Sequence, residues 1–337
     1  MRRWANKQKG GYAATPDGFD RSTATTLASL IDDWFRHLAE RAYSPRTVEA
    51  RRWALRTFLG WAEERDLRRA DQITKPILES YQRWLFQYRK ADGKPIGVTT
   101  QRCRLGAIQN FFTWLCRENH LQANPAADLE LPRKPNKSLP KSLSLSEVHA
   151  LLNMPNVTDL LGIRDRAILE TLYSTGIRRS ECARVDIDDL DRERGLLTVR
   201  KGKGGKDRVV PVGECALYWL GLYLEKTRPM LATPQSGRAM FISGYGEGLS
   251  AGFIGNWVRR MVDAANIGRT GSCHLLRHSC ATHMLENGAD IRYIQQLLGH
   301  ARLDTTQIYT DVSIVQLREV HARTHPHARL EDVKREM

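Results

Sequence analysis

Apolar residues punctuate the first third of the chain at helical spacing. Leu27, Leu30, Ile31, Trp34, Phe35 and Leu38 make one such stripe and predict an amphipathic helix. Ser44-Pro45 reads as the start of a second helix, with the serine as cap and the proline at the first helical position. That helix turns Val48, Leu55, Phe58, Leu59 and Ala62 inward, and its polar side carries Arg46, Arg51, Arg52 and Arg56. A third stripe over residues 76–88 contains Ile77, Leu78, Tyr81, Trp84 and Leu85, and residues 90–97 predict a loop. A fourth helix, starting at Thr99 or Thr100, holds Leu105, Ile108, Phe111, Phe112 and Leu115 inward. Gln101, Arg102 and Arg104 are expected near its outer side, and Asn124-Pro125 begins a last short piece. Residues 24–130 therefore predict an all-helical bundle.

Periodicity lapses over residues 131–143, which hold three prolines and four basic residues and predict a linker. Ser144-x-x-Glu147 is a capping box opening a second domain, residues 144–326. An apolar run through Ile168, Leu169, Leu172 and Tyr173 predicts a helix ending at Gly176. A strand, a Gly-rich turn and a strand follow over residues 196–212, with residues 240–242 a candidate third strand. Ser250 starts a helix through Phe253, Trp257, Val258 and Val262. Leu275, Leu276, Met284 and Leu285 would anchor another. Ile291, Ile294, Leu297 and Leu298 define the next, ending at Gly299. Val312, Ile314, Val315, Leu317 and Val320 predict a terminal apolar helix running to His325-Pro326, and packing within the chain is the simplest cover for it. Residues 1–23 predict a flexible basic arm and residues 327–337 a frayed charged tail. The expected fold class is mostly α with a small antiparallel β-sheet, in two domains.

Charge narrows the function. Lys plus Arg number 52 against 38 Asp plus Glu in 337 residues, a net +14. Such an excess, with arginines on helix faces, favours a nucleic-acid partner. Arg46, Arg51, Arg52 and Arg56 on the second helix, and Gln101, Arg102 and Arg104 on the fourth, are the expected DNA contacts. There is no 18-residue apolar run, and the charged start lacks the apolar segment of a secretory signal. Six cysteines without a CxxC pair argue against a disulfide framework or zinc and fit a reducing cytoplasm.

The chemistry concentrates between residues 274 and 309. His274 and Arg277 stand one helical turn apart, His300 follows a helix-ending glycine, and Tyr309 lies on a short helix beyond. A phenol with a pKa of about 10 is a poor nucleophile unless cations favour its phenolate or a base takes its proton. Arg178, where a helix begins after Gly176, adds a second guanidinium, whose planar fork matches phosphate oxygens. Lys203 sits between glycines on the turn between the two strands. Two other readings use the same residues. A metal-dependent hydrolase could employ His274, His278 and His283, but no acidic or cysteine ligand accompanies them, and His278 reads better as a buried structural residue. A regulatory or architectural DNA-binding protein would keep the basic faces and need no Tyr309.

Together the motifs TGIRRSE around Arg178, GKGGKDR around Lys203, HLLRH from His274, LGHARLDTTQIY through His300 and Tyr309, and QLREVHARTHP after it resemble the tyrosine recombinases, or phage-integrase family, most nearly their Xer-type members. The resemblance spans about residues 27–326. It implies a SAM-like core-binding domain followed by an α+β catalytic domain. Arg178, Lys203, His274, Arg277, His300 and Tyr309 would be the active-site residues. It further implies strand exchange through a 3′-phosphotyrosine link and a Holliday junction, without cofactor or metal. The partners would be paired inverted-repeat half-sites and a tetramer, either homomeric or shared with a paralogue. The terminal helix would dock onto a neighbouring subunit. A relaxing topoisomerase of similar chemistry is the alternative within this reaction class. Cys273, Cys280 and Asp311 depart from the usual pattern without touching the six.

Overall fold

The computed structural model describes residue 19 and residues 25–134, 142–200, 207–299 and 314–328. The chain forms two compact units, Met1–Ser138 and Leu139–Met337, each with its own core.

The first unit contains α1 (Leu27–Glu40), α2 (Pro45–Glu63), α3 (Lys75–Gln87) and α4 (Val98–Arg117). Every residue of the first apolar stripe is buried, and Thr26 caps α1 by accepting from the Ser29 N–H. Ser44 caps α2 by accepting from the Thr47 N–H at 3.2 Å, with Pro45 at the first position. Aromatic rings fill the centre. Phe58 meets Tyr81 edge-on at 5.1 Å, and Trp34 meets Phe111 at 5.6 Å. Burying each such ring favours the folded state by about 1.5–3 kcal/mol before conformational entropy is counted. Phe19 packs partly buried against this core, so that residue does not behave as part of a loose arm.

Several expectations change here. α4 starts at Val98, with Gly97 in the capping position, rather than at Thr99 or Thr100. Gln101 is buried, only 5% exposed, and its side-chain amide donates to the Ile96 carbonyl at 3.1 Å. It turns inward because the loop carbonyl ahead of the helix needs a donor that no backbone N–H supplies. Arg102 is half-buried and donates to the Pro132 carbonyl, while Arg104 lies over the Tyr88 ring. On α2, Arg51 covers the rings of Trp34 and Tyr43, and Arg52 lies 4.3 Å from the centre of Phe35. Burial lowers the Arg52 pKa. Part of the arginine face thus packs on the bundle itself through cation–π contacts.

The second unit contains α5 (Leu145–Leu152), α6 (Leu160–Thr175), α7 (Arg179–Cys182), β1 (Leu190–Asp191), β2 (Leu196–Val199), β3 (Arg208–Pro211), α8 (Glu214–Leu222), α9 (Arg228–Leu231), α10 (Ala251–Ala264), α11 (Cys273–Glu286), α12 (Ile291–Leu298) and α13 (Ile314–Thr324). The Ser144–Glu147 capping box forms as expected. α6 runs through the centre and is buried on nearly every side from Ala167 to Thr175. Its charges are consequently paired: Arg166 forks onto Glu170, and Arg164 onto Asp165 and the Ile242 carbonyl. The sheet is antiparallel in the order β1-β2-β3, with Leu197 opposite both Leu190 and Val210.

The third strand is therefore Leu190–Asp191, not residues 240–242. Gly195, at φ 63°, lets the chain fold β1 tightly back onto β2, and that local hairpin occupies the sheet edge. Met240 bonds instead to Val185 and Phe241 to Leu249. Three residues assigned inward face out: Phe253 at 40% exposure, Leu285 at 51% and Ile291 at 50%. The inner face of α11 is Cys273, Leu276, Arg277, Cys280, His283 and Met284, so the polar Arg277 and His283 replace the expected leucine.

α13 packs within its own chain against α11, α12 and β3, with Leu317 fully buried. His327 and Ala328 are buried in a 3₁₀ turn after Pro326 and are no frayed tail. His327 donates to the buried Glu170 carboxylate at 3.1 Å, because a fully buried charge has to be met. Among the described residues no helix is long and apolar enough to cross a membrane.

Candidate active site

α6 ends at Gly176, which takes the left-handed conformation (φ 58°), and Arg178 then caps α7. A side chain at 176 would meet Leu298 at 2.7 Å, so glycine allows the end of α6 to approach the end of α12. α12 itself stops at Gly299, again left-handed, which leaves its last carbonyls without helical partners. Arginines take them. Arg277, only 7% exposed on α11, donates to Leu298 O at 2.7 Å and to Gly176 O. Arg178 donates to Gly299 O at 3.3 Å, and Arg208 to Leu297 O at 3.2 Å.

One carboxylate holds the group together. Glu181 accepts from Arg178 at 2.8 Å and from Arg208 at 3.1 and 2.8 Å, and it also accepts the Arg178 backbone N–H. Burial pushes the Glu181 carboxyl up, but Arg208 and Arg178 more than offset this and leave it at about 2. Arg277 moves the other way. Burial lowers its pKa to about 10, helped by the charges of Arg178 and Arg208. Arg178 and Arg208 share one carboxylate and Arg277 lies within their electrostatic reach, so three guanidinium groups stand beside a single carboxylate and the cluster holds an excess of positive charge in a partly desolvated place. That is the electrostatic condition for gripping an anion, and a phosphate suits planar arginine forks.

The structure brings Arg178 and Arg277 together, as the sequence implies. His274 lies in the first turn of α11, one turn before Arg277, and is exposed. Lys203, His300 and Tyr309 lie outside the described residues. Of the described residues beside them in sequence, Arg208 opens β3 and Gly299 ends α12, and both belong to the arginine cluster. Arg208 and Glu181 are members of the cluster that sequence reasoning passed over. Both lie in the TGIRRSE and GKGGKDR motifs, and the i, i+3 spacing of Arg178 and Glu181 at a helix start is the signal for their pairing.

The metal reading loses its third histidine. His283, rather than His278, is the buried structural residue. Its Nδ1 accepts from the Tyr173 hydroxyl and its Nε2 donates to Leu143 O, both at 2.8 Å. Among the described residues no three His, Cys, Asp or Glu side chains are grouped to hold a metal ion. A cavity of about 420 Å³ opens between Ser144, Arg269 and Asn287, and none of its lining residues belongs to the arginine cluster.

Comparison with known proteins gives the family. Residues 141–314 match the model of the phage integrase family, and residues 31–119 match the phage integrase N-terminal SAM-like domain. Tyrosine recombinase XerC 2 of Ralstonia nicotianae is 48% identical over 306 residues, covering 90% of this chain and 87% of that protein. Tyrosine recombinase XerD of Staphylococcus epidermidis is 34% identical over 303 residues, covering 90% of this chain and 100% of its own. The fold matches a lambda integrase dimer bound to a core site, with TM-score 0.63 at 21% identity, over 84% of this chain and 100% of that one. With a family model across half its length and a relative this similar along nearly all of it, the chain belongs to the phage integrase family, the tyrosine recombinases.

Proposed function

We propose that the chain is a site-specific DNA recombinase that cuts and rejoins strands through a covalent link to Tyr309. The observation that carries this reading is the arginine cluster: Arg178 and Arg277 anchored side by side on the carbonyls that end α12, with positive charge in excess. In the mechanism Tyr309 attacks the scissile phosphorus in line. Its Oη–P bond forms as the bond from phosphorus to the 5′-oxygen breaks, giving a 3′-phosphotyrosine and a free 5′-hydroxyl. Arg178 and Arg277 neutralise the charge that builds on the non-bridging oxygens. Lys203 protonates the leaving 5′-oxygen. His274 accepts the phenol proton or orients the phosphate, and His300 donates to it. The phosphotyrosine keeps the energy of the bond, so the 5′-hydroxyl of a partner strand can reverse the step without ATP, and side chains supply every group the reaction needs.

The substrate is two DNA sites, each of paired inverted half-sites, exchanged through a Holliday junction by a tetramer of this chain or of this chain with a paralogue. The setting is the cytoplasm. Residues 24–130 would form the core-binding domain, 131–143 a linker along phosphate and 144–326 the catalytic domain. The proposed DNA contacts on α2 and α4 are Arg46, Arg51, Arg52, Arg56, Arg102 and Arg104. A nicked suicide duplex tests the reading. Wild-type protein should be trapped as a covalent adduct, in excess EDTA as well as without it, and Tyr309→Phe should bind the duplex without an adduct. A Tyr309→Phe protein that still formed adducts would refute the assignment. Binding without any wild-type adduct would leave only a regulatory or architectural role.

A further inference from the structure

The last turn of α6 carries carbonyls that no later residue of that helix can bond. α13 and the residue after it meet them with histidines. His321 Nε2 lies 2.7 Å from Ser174 O, and His325 Nε2 lies 3.1 Å from Tyr173 O. A carbonyl only accepts, so each ring must carry its proton on Nε2. His325 shows this independently, because its Nδ1 accepts the His327 backbone N–H at 3.2 Å. Two residues beyond Ser174, at the residue that ends the helix, Gly176 O is taken by Arg277. The same helix end is thus bonded from one side by α13 and from the other by an active-site arginine.

α13 is also tied to the element that carries Arg277. Asn287, the residue capping α11, donates its amide to Thr324 O at 2.8 Å. His327 adds a third tie, to Glu170 on α6. The two imidazoles stack at 4.8 Å, and His321 and His325 are 2% and 3% exposed, so no water competes for their bonds. Burial holds the His321 pKa at about 4, which keeps the ring neutral with its single N–H committed to Ser174.

We propose that His321 and His325 are positioning residues for strand cleavage: from α13 and the residue that follows it they cap the C-terminal turn of α6 and so set the register of Gly176 and of the Arg178–Arg277 pair. The inference rests on the recombinase reading above. Misplacing a phosphate-binding group by about 1 Å can slow chemistry about 10²-fold while leaving binding little changed.

The experiment uses the full chain and a nicked suicide duplex carrying the site that wild-type protein selects from a random pool. His321→Gln keeps an N–H donor at nearly the same reach, whereas His321→Met fills similar volume without one. Adduct formation at saturating protein gives a rate constant for the chemical step and an amplitude for the folded fraction. The expected result is a rate constant about 10- to 100-fold lower for His321→Met, largely restored in His321→Gln, with duplex affinity within about threefold of wild type. Asn287→Ala, which cuts the tie on the α11 side, should lower the same rate constant and covers the case in which His321→Met does not fold. If the variants lose only amplitude or melting temperature, with the rate constant of the folded fraction unchanged, the histidines are merely structural and the proposal falls. If wild-type protein itself forms no adduct, the recombinase reading fails first and this proposal with it, whatever the variants do.

Discussion

Glu181 shows how one side chain organises a charged site. It is 3% exposed and is the carboxylate shared by Arg178 and Arg208. Its folded pKa, about 2, lies below the ordinary 4.5, so its contribution is complete above about pH 4.5 and is lost as pH falls toward 2. Glu181→Gln should cost about 3–5 kcal/mol, because it leaves desolvated guanidinium groups facing one another, and urea denaturation at neutral pH measures it. His321 works in the opposite pH range. Its pKa is depressed from 6.5 to about 4, so the neutral ring is the form the fold holds. That contribution is complete above about pH 6.5 and is lost as pH falls from there to 4. His325 stands beside it with its pKa likewise lowered, by burial first and then by the neighbouring His321. The urea midpoint should fall between pH 7 and pH 5 in wild-type protein, and fall less in His321→Gln. Arg277→Lys keeps the charge but cannot span Gly176 O and Leu298 O, so adduct formation should slow by about 10²-fold.

Helix ends do most of the work at the next scale. Gly176→Ala would force a side chain onto a left-handed residue and against Leu298, 2.7 Å away. It should destabilise the second unit by about 1–2 kcal/mol and slow adduct formation together, since the same contact seats Arg277. On the first unit, position along α4 separates packing from DNA contact. Gln101→Ala should lower the thermal midpoint, because it leaves the Ile96 carbonyl unmet, with no change in how DNA affinity depends on salt. Arg46→Ala, on an exposed position of α2, should reduce the slope of log affinity against log salt by about one unit at little cost in stability. Starts and stops of these elements were readable because caps are local: Ser44, Ser144, Ser250, Gly176 and Gly299 all stand where their side chains or their freedom predict. Facing was readable only where a stripe is strongly apolar. Gln101 breaks the rule because the Ile96 carbonyl takes its amide, and Leu285 and Phe253 break it by facing out.

Over the whole molecule, the family and the order of its parts were legible, since the motifs around Arg178, Arg277 and Gly299 stand at recognisable spacing. Each unit has its own core. Residues 25–134 alone should bind duplex weakly, and the full chain about 10²- to 10⁴-fold more tightly, because the second contact becomes intramolecular. Filter binding of the two proteins to the same duplex at fixed salt checks this, and equal affinities would show that one unit carries all the binding. The terminal helix, expected from the family to dock onto a neighbouring subunit, is seated in its own chain by His321, His325 and Asn287.

The sequence by itself determined the helices, their caps, the basic character and the motif set, because all of these are written in spacings of a few residues. Only the tertiary structure decided that Glu181 would anchor Arg208, that Leu190–Asp191 rather than residues 240–242 would complete the sheet, and that His327 would be buried against Glu170. Those pairings join groups far apart along the chain. Burial settles them, since a polar group removed from water must find whichever partner the fold places within reach.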